Sequence, residues 1–326
     1  MNQSLRYILF SCLFVSLLFV SNRMTLQAAE KSSTVVYLAM ITRPPSRVAA
    51  LGDFGEEGAG AQKVAALINS WQPDIIITMG DNNYPDGEME TFDRNVGQYY
   101  GSYIYPYVGE QRWAGRETKN RFFPSIGNHD WRTEAAQPYF DYFPIFDSHV
   151  NTRSSSHERY YDFVWEGVHF FVLNSVKAEP DGVDVDSVQA QWLQEQLASS
   201  TAAWQIVYFH HPPYSSGGHG SSEYMQWPFA EWGVDAVLSG HDHHYERLEV
   251  DGIPYFVNGV GGHSVRPIRS PLPESRKQFD TDLGAMLLVI WSDHIVFEFY
   301  AVRNGGDLVD QYVITHKPIS KLPPRP

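Results

Sequence analysis

The chain has 326 residues, 43% of them hydrophobic and 14% aromatic, so it is too apolar to be disordered and long enough to bury a large core. Its 24 Lys and Arg against 38 Asp and Glu give a formal net charge of −14, which argues against a nucleic-acid partner. The single cysteine, Cys12, excludes disulfides, cysteine-ligated zinc and thiol catalysis from the rest of the chain.

The N-terminal segment has the pattern of an export signal. An apolar run from Tyr7 to Val20 follows Arg6. The run is shorter than the ~20 residues that a membrane-spanning helix needs, so it favours a signal peptide over residues 1–29. An uncleaved N-terminal anchor is the alternative. We therefore expect a secreted or periplasmic protein with no stable membrane span after signal cleavage.

The remaining chain alternates strand and helix patterns, as α/β proteins do. Short apolar runs at 35–41, 48–51 and 75–77 predict buried strands, and the periodicity of 61–71 predicts a helix. Residues 86–121 are expected to be rich in loops. The ranges 160–165 and 168–174 predict a hairpin that turns at Glu166-Gly167, and 188–197 predicts a helix. Further strands are predicted at 206–209, 236–238, 255–257, 286–291 and 295–300.

We expect a single large domain over residues 30–316, because little chain separates the signal from the first polar motif. A Pro-rich tail follows at 317–326 and is expected to be frayed.

Polar blocks directly follow five of the predicted strands, and ligands of α/β sheets bind beyond the carboxyl ends of strands. Each block alone has an ordinary explanation as a turn, a helix cap or a satisfied histidine. Together they supply oxygen and imidazole donors whose burial without cations would be costly. His241-x-His243 is the most specific of these blocks, because alternate residues on a strand end face the same way, which suits metal ligation. The sequence therefore predicts a site for two metal ions, with the ligands Asp53, Asp81, Tyr84, Asn128, His210, His241 and His243.

These blocks resemble the signature of the calcineurin-like metallophosphoesterases and, within them, the purple acid phosphatases. The motifs D-x-G, G-D-x-x-Y, G-N-H-[DE], V-x-x-H and G-H-x-H occur in order at 53–55, 80–84, 127–130, 207–210 and 240–243. The resemblance implies an α/β fold, a four-layer α-β-β-α sandwich of two mixed sheets flanked by helices. The single domain resembles the small form of the family, whereas residues 241–247 resemble the larger plant enzymes, so the subgroup stays open.

Two positions point to the kind of metal. Most metallophosphoesterases carry a histidine where this chain has Gly55, and here Tyr84 follows Asp81 by three residues. A phenol with a pKa of about 10 binds as phenolate only to a strong Lewis acid. The resemblance implies Fe(III) at the first site and divalent Fe, Zn or Mn at the second. It assigns Asp53, Asp81, Tyr84 and His243 to Fe(III), and Asp81, Asn128, His210 and His241 to the divalent ion.

The resemblance further implies that a metal-bound hydroxide hydrolyses small phosphate monoesters. By the same resemblance, His129 and His219 contact the phosphate or protonate the leaving group. A phosphodiesterase or nucleotidase that uses the same metals is the alternative. A third hypothesis is a binding protein whose metal site is vestigial.

Several other side chains have weaker predictions. Asp130 is expected to orient a neighbouring histidine. His211 and His244 are expected to point away from the metals, because each sits directly after a ligand on an extended strand. His263 and the tyrosines of 99–107 either line the pocket or pack within loops.

Overall fold

The computed structural model describes residues 44–116, 118–145, 152–154 and 157–315. The predicted signal peptide, the predicted strand at 35–41 and the Pro-rich tail lie outside the described residues. All of the described residues belong to one compact unit that begins at Pro44. None of their helices is both long enough and apolar enough to cross a membrane.

Two mixed β-sheets form the centre of the protein. The strands are β1 (Ser46–Leu51), β2 (Ile75–Thr78), β3 (Phe122–Pro124), β4 (Thr152–Ser154), β5 (Tyr161–Trp165), β6 (Val168–Val172), β7 (Trp204–Tyr208), β8 (Ala236–Ser239), β9 (Tyr245–Val250), β10 (Ile253–Asn258), β11 (Ser275–Phe279), β12 (Gly284–Ile290), β13 (His294–Ala301) and β14 (Asp307–Thr315). The first sheet has the order β14-β13-β12-β1-β2-β3, and the second has the order β11-β9-β10-β8-β7-β6-β5-β4.

Each sheet has a parallel centre and antiparallel edges. In the first sheet β1, β2 and β3 are parallel, while β12 pairs with β1 in the antiparallel sense. In the second sheet β6, β7, β8 and β10 are parallel. Because parallel strands point the same way, the carboxyl ends of β1, β2 and β3 lie at one edge of their sheet, and those of β7 and β8 lie at one edge of theirs.

Helices cover the outer faces of the sheets. The α-helices are α1 (Ala59–Trp71), α2 (Met89–Phe92), α3 (Gln98–Tyr100), α4 (Gln137–Tyr142) and α5 (Val188–Ser199). A π-helical turn joins α2 to α3 at Asp93–Gly97, and 3₁₀ turns occupy Gly101–Tyr103, Gln111–Trp113, Asp130–Arg132, Glu134–Ala136, Glu223–Met225 and Arg303–Gly305.

The strand alternation shows how the layers pack. Phe170 belongs to the core cluster shared by both sheets, and the stacked pair Phe123 and Phe163, with ring centroids 4.0 Å apart, joins the sheets there. The next residue, Phe171, belongs to a second cluster that includes Leu193 of α5. Successive residues of a strand point to opposite faces, so α5 covers the face of the second sheet that turns away from the first. The four-layer arrangement expected from the resemblance is confirmed.

Most sequence-based assignments agree with these elements. The structure adds the strands β4, β9, β11 and β14, at or next to the sheet edges, which were not predicted, and one predicted region differs. Residues 86–121 were expected to be rich in loops, whereas a continuous helical run covers Met89–Tyr103. Its segments are single turns of different helix types, so no apolar period of 3.6 residues extends far enough to reveal them. The tyrosines of this run pack internally: Tyr100 is buried in the core.

Candidate metal centre

Loops at the ends of five strands bring the polar blocks together. Asp53 follows β1, Asp81 follows β2, Asn128 follows β3, His210 follows β7 and His241 follows β8. Backbone hydrogen bonds tie these loops to one another: the Asp53 N–H donates to Gly80 O at 3.1 Å. The site therefore draws on both sheets, although its ligands lie far apart in sequence.

The backbone of these loops is held in uncommon conformations. Asp53, Asp81 and His241 have φ values of 55°, 51° and 68°, a left-handed region that residues with a side chain rarely adopt. Gly127 lies so close to Asp81 that a Cβ on it would be 2.1 Å from the Asp81 amide nitrogen and Oδ1. Such strain persists where surrounding contacts enforce it, and it concentrates at functional sites.

One half of the site surrounds Tyr84. Its hydroxyl lies 3.1 Å from Asp53 Oδ1 and 3.0 Å from Asp81 Oδ2 and donates to these carboxylates. His243 Nε2 lies 3.2 Å from the same Asp53 oxygen, and its other nitrogen, Nδ1, lies 2.5 Å from Ser264 Oγ. The four ligands predicted for Fe(III) therefore form one contiguous group of oxygen and nitrogen donors.

The other half surrounds His210. Its Nε2 lies 3.4 Å from Asp81 Oδ2, 3.0 Å from Asn128 Oδ1 and 3.1 Å from His241 Nδ1. Its Nδ1 donates to the Met79 carbonyl oxygen at 2.8 Å, so Nε2 is the atom that would bind a metal ion. The four ligands predicted for the divalent ion thus also lie together, and Asp81 belongs to both groups.

Burial and charge set unusual proton affinities at this site. Burial, followed by the charges of Asp53 and Asp81, raises the pKa of Tyr84 well above 10. Burial alone would raise the pKa of Asp81, but the neighbouring His210 and His129 hold it well below its usual range. Burial would lower the pKa of His210, but Asp81 raises it to about 9. Without a bound cation, therefore, the Tyr84 phenol stays protonated and the His210 imidazole carries a positive charge.

This donor set fits a pair of metal ions. Asp53 and Asp81 are 0% and 2% exposed, and their ion-pair partners among the described residues are histidines. Buried carboxylates need compensating charge, and carboxylate, amide and imidazole groups are common ligands of first-row metals. Asp53, Asp81 and His210 have donor atoms within 4.8 Å of one another, as metal ligands do.

The two histidines predicted to act on substrate lie beside these ligands. The backbone N–H of His129 donates to Asp81 Oδ1 at 2.8 Å, and its Nε2 lies 3.9 Å from Asp81 Oδ2. The His219 ring lies 4.4 Å from the His241 ring, centroid to centroid. An open cleft of about 740 Å³ lies over this half of the site, and Asn128, His219 and His241 form part of its wall.

Two of the weaker predictions are wrong. Among the described residues, no histidine hydrogen-bonds to the Asp130 carboxylate. This carboxylate accepts hydrogen bonds from the backbone amides of Asn82, Asn83 and Gly127 and so fixes the loop that carries Asp81. His211 does not point away from the site, because its ring lies 4.4 Å from that of His241 and lines the cleft. Here the chain has left β7 and is no longer extended, so strand alternation does not apply.

The positions of four histidines bear on the remaining predictions. His244 points away from the metal ligands and lies 3.2 Å from Glu246 Oε2. His263 stacks on Tyr84 with ring centroids 4.1 Å apart, so it covers the first half of the site. His241 and His243 lie in the loop after β8 rather than on a strand end, so the reason given for their pairing is wrong although both residues reach the site.

Sequence reasoning missed one charged residue at the site. Arg266, in the loop after β10, places Nη1 2.5 Å from His219 Nε2, and its backbone N–H donates to His243 O at 2.7 Å. It stands among glycines and prolines without a strand or helix pattern, so nothing in the sequence marked it.

Comparisons with known proteins place the chain in a family. The model of the calcineurin-like phosphoesterase family matches residues 46–245. Purple acid phosphatase 15 of Arabidopsis thaliana is 28% identical over 247 residues, covering 67% of this chain and 45% of that protein. Tartrate-resistant acid phosphatase type 5 of Mus musculus is 24% identical over 267 residues, covering 70% of this chain and 77% of that protein.

A solved structure agrees at the level of the fold. Purple acid phosphatase PPD1 from yellow lupin superposes with a TM-score of 0.64 at 18% sequence identity, covering 83% of this chain and 54% of that one. The chain spans less than half of the length of the first plant relative. The predicted relationship is confirmed: the chain belongs to the calcineurin-like phosphoesterase family, and its curated relatives are purple acid phosphatases.

Proposed function

We propose that the chain is an acid phosphatase that hydrolyses phosphate monoesters with a binuclear centre of Fe(III) and divalent Fe, Zn or Mn. One observation carries the proposal: Tyr84 lies between Asp53 and Asp81, and a second donor group continues from Asp81. When bound, the two cations supply Lewis-acid activation of water and of the phosphoryl group.

Each of the two donor groups would hold one of the metal ions. Asp53, Tyr84 and His243 would hold Fe(III), since its charge can replace the proton that the buried phenol otherwise keeps. Asn128, His210 and His241 would hold the divalent ion. Asp81 is the candidate to contact both, because it belongs to both donor groups.

In the proposed reaction, His129 would contact the substrate. Its Nδ1 lies 2.5 Å from the Pro85 carbonyl oxygen, which can only accept, so Nδ1 carries a hydrogen. Its Nε2 is then the atom that can contact a phosphoryl oxygen or pass a proton to the leaving group. An oxygen of the Asp81 carboxylate lies 3.9 Å from this atom.

The test is hydrolysis of phenyl phosphate by the purified metal-loaded protein. Asp81→Asn and His210→Ala should each reduce kcat/KM by at least about a hundredfold, because each removes a charge or ligand from the site. His294→Ala is the matched control, since this histidine lies on β13, away from the metal ligands, and is partly exposed. Unchanged hydrolysis in both site variants would reject the proposal.

The same site could act on phosphodiesters or nucleotides. The open cleft of about 740 Å³ leaves room for a larger leaving group, which is the observation that keeps this alternative. Bis(4-nitrophenyl) phosphate and 4-nitrophenyl phosphate should be compared on one preparation. A diester rate well above the monoester rate would establish the alternative.

We also propose that the protein is exported after removal of residues 1–29. The support is the apolar run of residues 7–20 alone. Fractionation of cells that express the full chain, with N-terminal sequencing of the product, tests this. An intact N-terminus in the membrane fraction would favour the anchor instead.

A further inference from the structure

A row of side chains runs along the cleft, with a cationic side chain at each end. It begins at Arg266, which contacts His219, and continues through the rings of His241 and His211, with centroid separations of 4.4 Å at both ring contacts. It ends at Tyr224, whose ring lies 6.4 Å from that of His211. The second cation, Lys177, stands over this last ring.

The Arg266 end lies against the metal centre and is built to present a positive charge. Arginine can only donate, so its contact with His219 Nε2 makes that atom the acceptor and places the histidine hydrogen on Nδ1. His219 then anchors the guanidinium, which keeps further N–H groups for a ligand. A guanidinium matches two phosphoryl oxygens at once.

The Lys177 end lies away from the metals and is also anchored. Lys177 Nζ sits 4.8 Å from the centre of the Tyr224 ring. The Tyr224 hydroxyl donates to Ser175 O at 3.0 Å, and Ser175 Oγ lies 3.0 Å from His211 Nδ1, so the far end is tied back to the histidines. Glu223 also lines the cleft, and in the part of the chain that the structure describes no ion pair joins it to Lys177.

We propose that this row recognises a phosphate monoester whose leaving group carries a second anionic group, a carboxylate or another phosphate. Arg266 binds the phosphoryl oxygens beside the metals, and Lys177 binds the second anion across the cleft. Two cations placed at opposite ends of one row are notable in a chain with a net charge of −14, because that charge otherwise repels a substrate with two anionic ends. Hydrolysis of such a substrate rests on the proposed function, whereas its binding by Arg266 and Lys177 does not.

The experiment measures binding of ligands that cannot be hydrolysed. Calorimetry on the metal-loaded protein should compare three phenylphosphonates that carry the same flexible para-alkyl chain, ended by a methyl group, a carboxylate or a second phosphonate. The chain must be long enough to follow the row, whose successive ring separations are 4.4, 4.4 and 6.4 Å. The wild type should bind the ligands with two anionic ends about threefold to fivefold more tightly, as expected for an exposed ion pair, and added salt should reduce that preference. Comparing the affinities of the last two ligands shows whether the Lys177 end prefers a carboxylate or a phosphate-like group.

Variants of Lys177 and Arg266 test which residue binds each anionic group of the ligand. Lys177→Met keeps the alkyl stem over Tyr224 and should remove the preference. Arg266→Gln should weaken all three ligands about tenfold or more, and Arg266→Lys should fall between, because it keeps the charge and loses the planar fork. Lys63→Met on α1 and Arg269→Gln in the Arg266 loop are exposed controls that should bind as the wild type does.

The outcomes are distinguishable. The inference is overturned if the wild type shows no preference, if the preference survives in Lys177→Met, or if Arg266→Gln binds as Arg269→Gln does. Hydrolysis of phenyl phosphate is measured on the same samples. Its absence rejects the proposed function, while the binding ratios still decide this inference.

Discussion

Replacing Gly127 by alanine should disable the metal centre without unfolding the protein. The added Cβ would lie 2.1 Å from both the amide nitrogen and Oδ1 of Asp81, where ordinary contacts need more than 3.4 Å. The neighbours are backbone and a ligand atom, so the clash is relieved only if Asp81 moves by about an ångström. Metal–ligand distances tolerate only about 0.2 Å, and a misplacement of about 1 Å can cost a hundredfold in rate.

The assay measures metals per chain, monoester kcat/KM and thermal unfolding on the same preparation. Gly127→Ala should lose at least one metal ion and about a hundredfold or more in kcat/KM, with a stability cost of about 1–3 kcal/mol in the metal-free protein. Gly58→Ala is the matched control, because no heavy atom of the described residues lies within 4 Å of a Cβ at that position. A Gly127→Ala protein with full metal content and a rate within twofold of the wild type would refute the reasoning.

Three further predictions concern stability. Hydrogen bonds from His244 and Ser216 outweigh burial and keep the pKa of Glu246 in the folded protein below its ordinary 4.5. The ionised Glu246 carboxylate therefore stabilises the fold above pH 4.5, and this stabilisation is lost as the pH falls through the lower pKa of the folded state. In metal-stripped protein, urea unfolding should thus show Glu246→Gln about 1–3 kcal/mol less stable at pH 7, with a gap that narrows under acid. Removing the metals with a chelator should lower the Tm, and free metal at about a hundred times Kd should restore about 3 kcal/mol; a Tm indifferent to metal would contradict the site. Leu193→Ala, in the buried face of α5, should cost about 2–5 kcal/mol by denaturant unfolding while metals per chain stay unchanged, and loss of metal would show that core and site are coupled.

The parallel centre of each sheet was predictable because its strands are buried on both faces. β1 and β2 are apolar runs that end in a glycine or polar residue, and that pattern places Asp53 and Asp81 correctly. The edges were harder to predict. β14 alternates exposed and half-buried residues and β9 mixes charged with apolar residues, so neither is a continuous apolar run.

The ligand residues were predictable because each stands in a motif, whereas their surroundings were not. Asp130 lies next to His129 in sequence, but the fold turns its carboxylate toward the amides of another loop. His211 joins the cleft only because the strand ends before it. Contacts between loops that are distant in sequence, such as Arg266 with His219, leave no local pattern to detect.

The most direct test of the central claim is a visible absorption spectrum of the purified protein, with metal content determined on the same sample. We expect two metal ions per chain, one of them iron, and a charge-transfer band that Tyr84→Phe abolishes. A colourless wild type with two bound metals and no iron would contradict the ferric site at Tyr84, and a chain that binds no metal would contradict the binuclear centre itself.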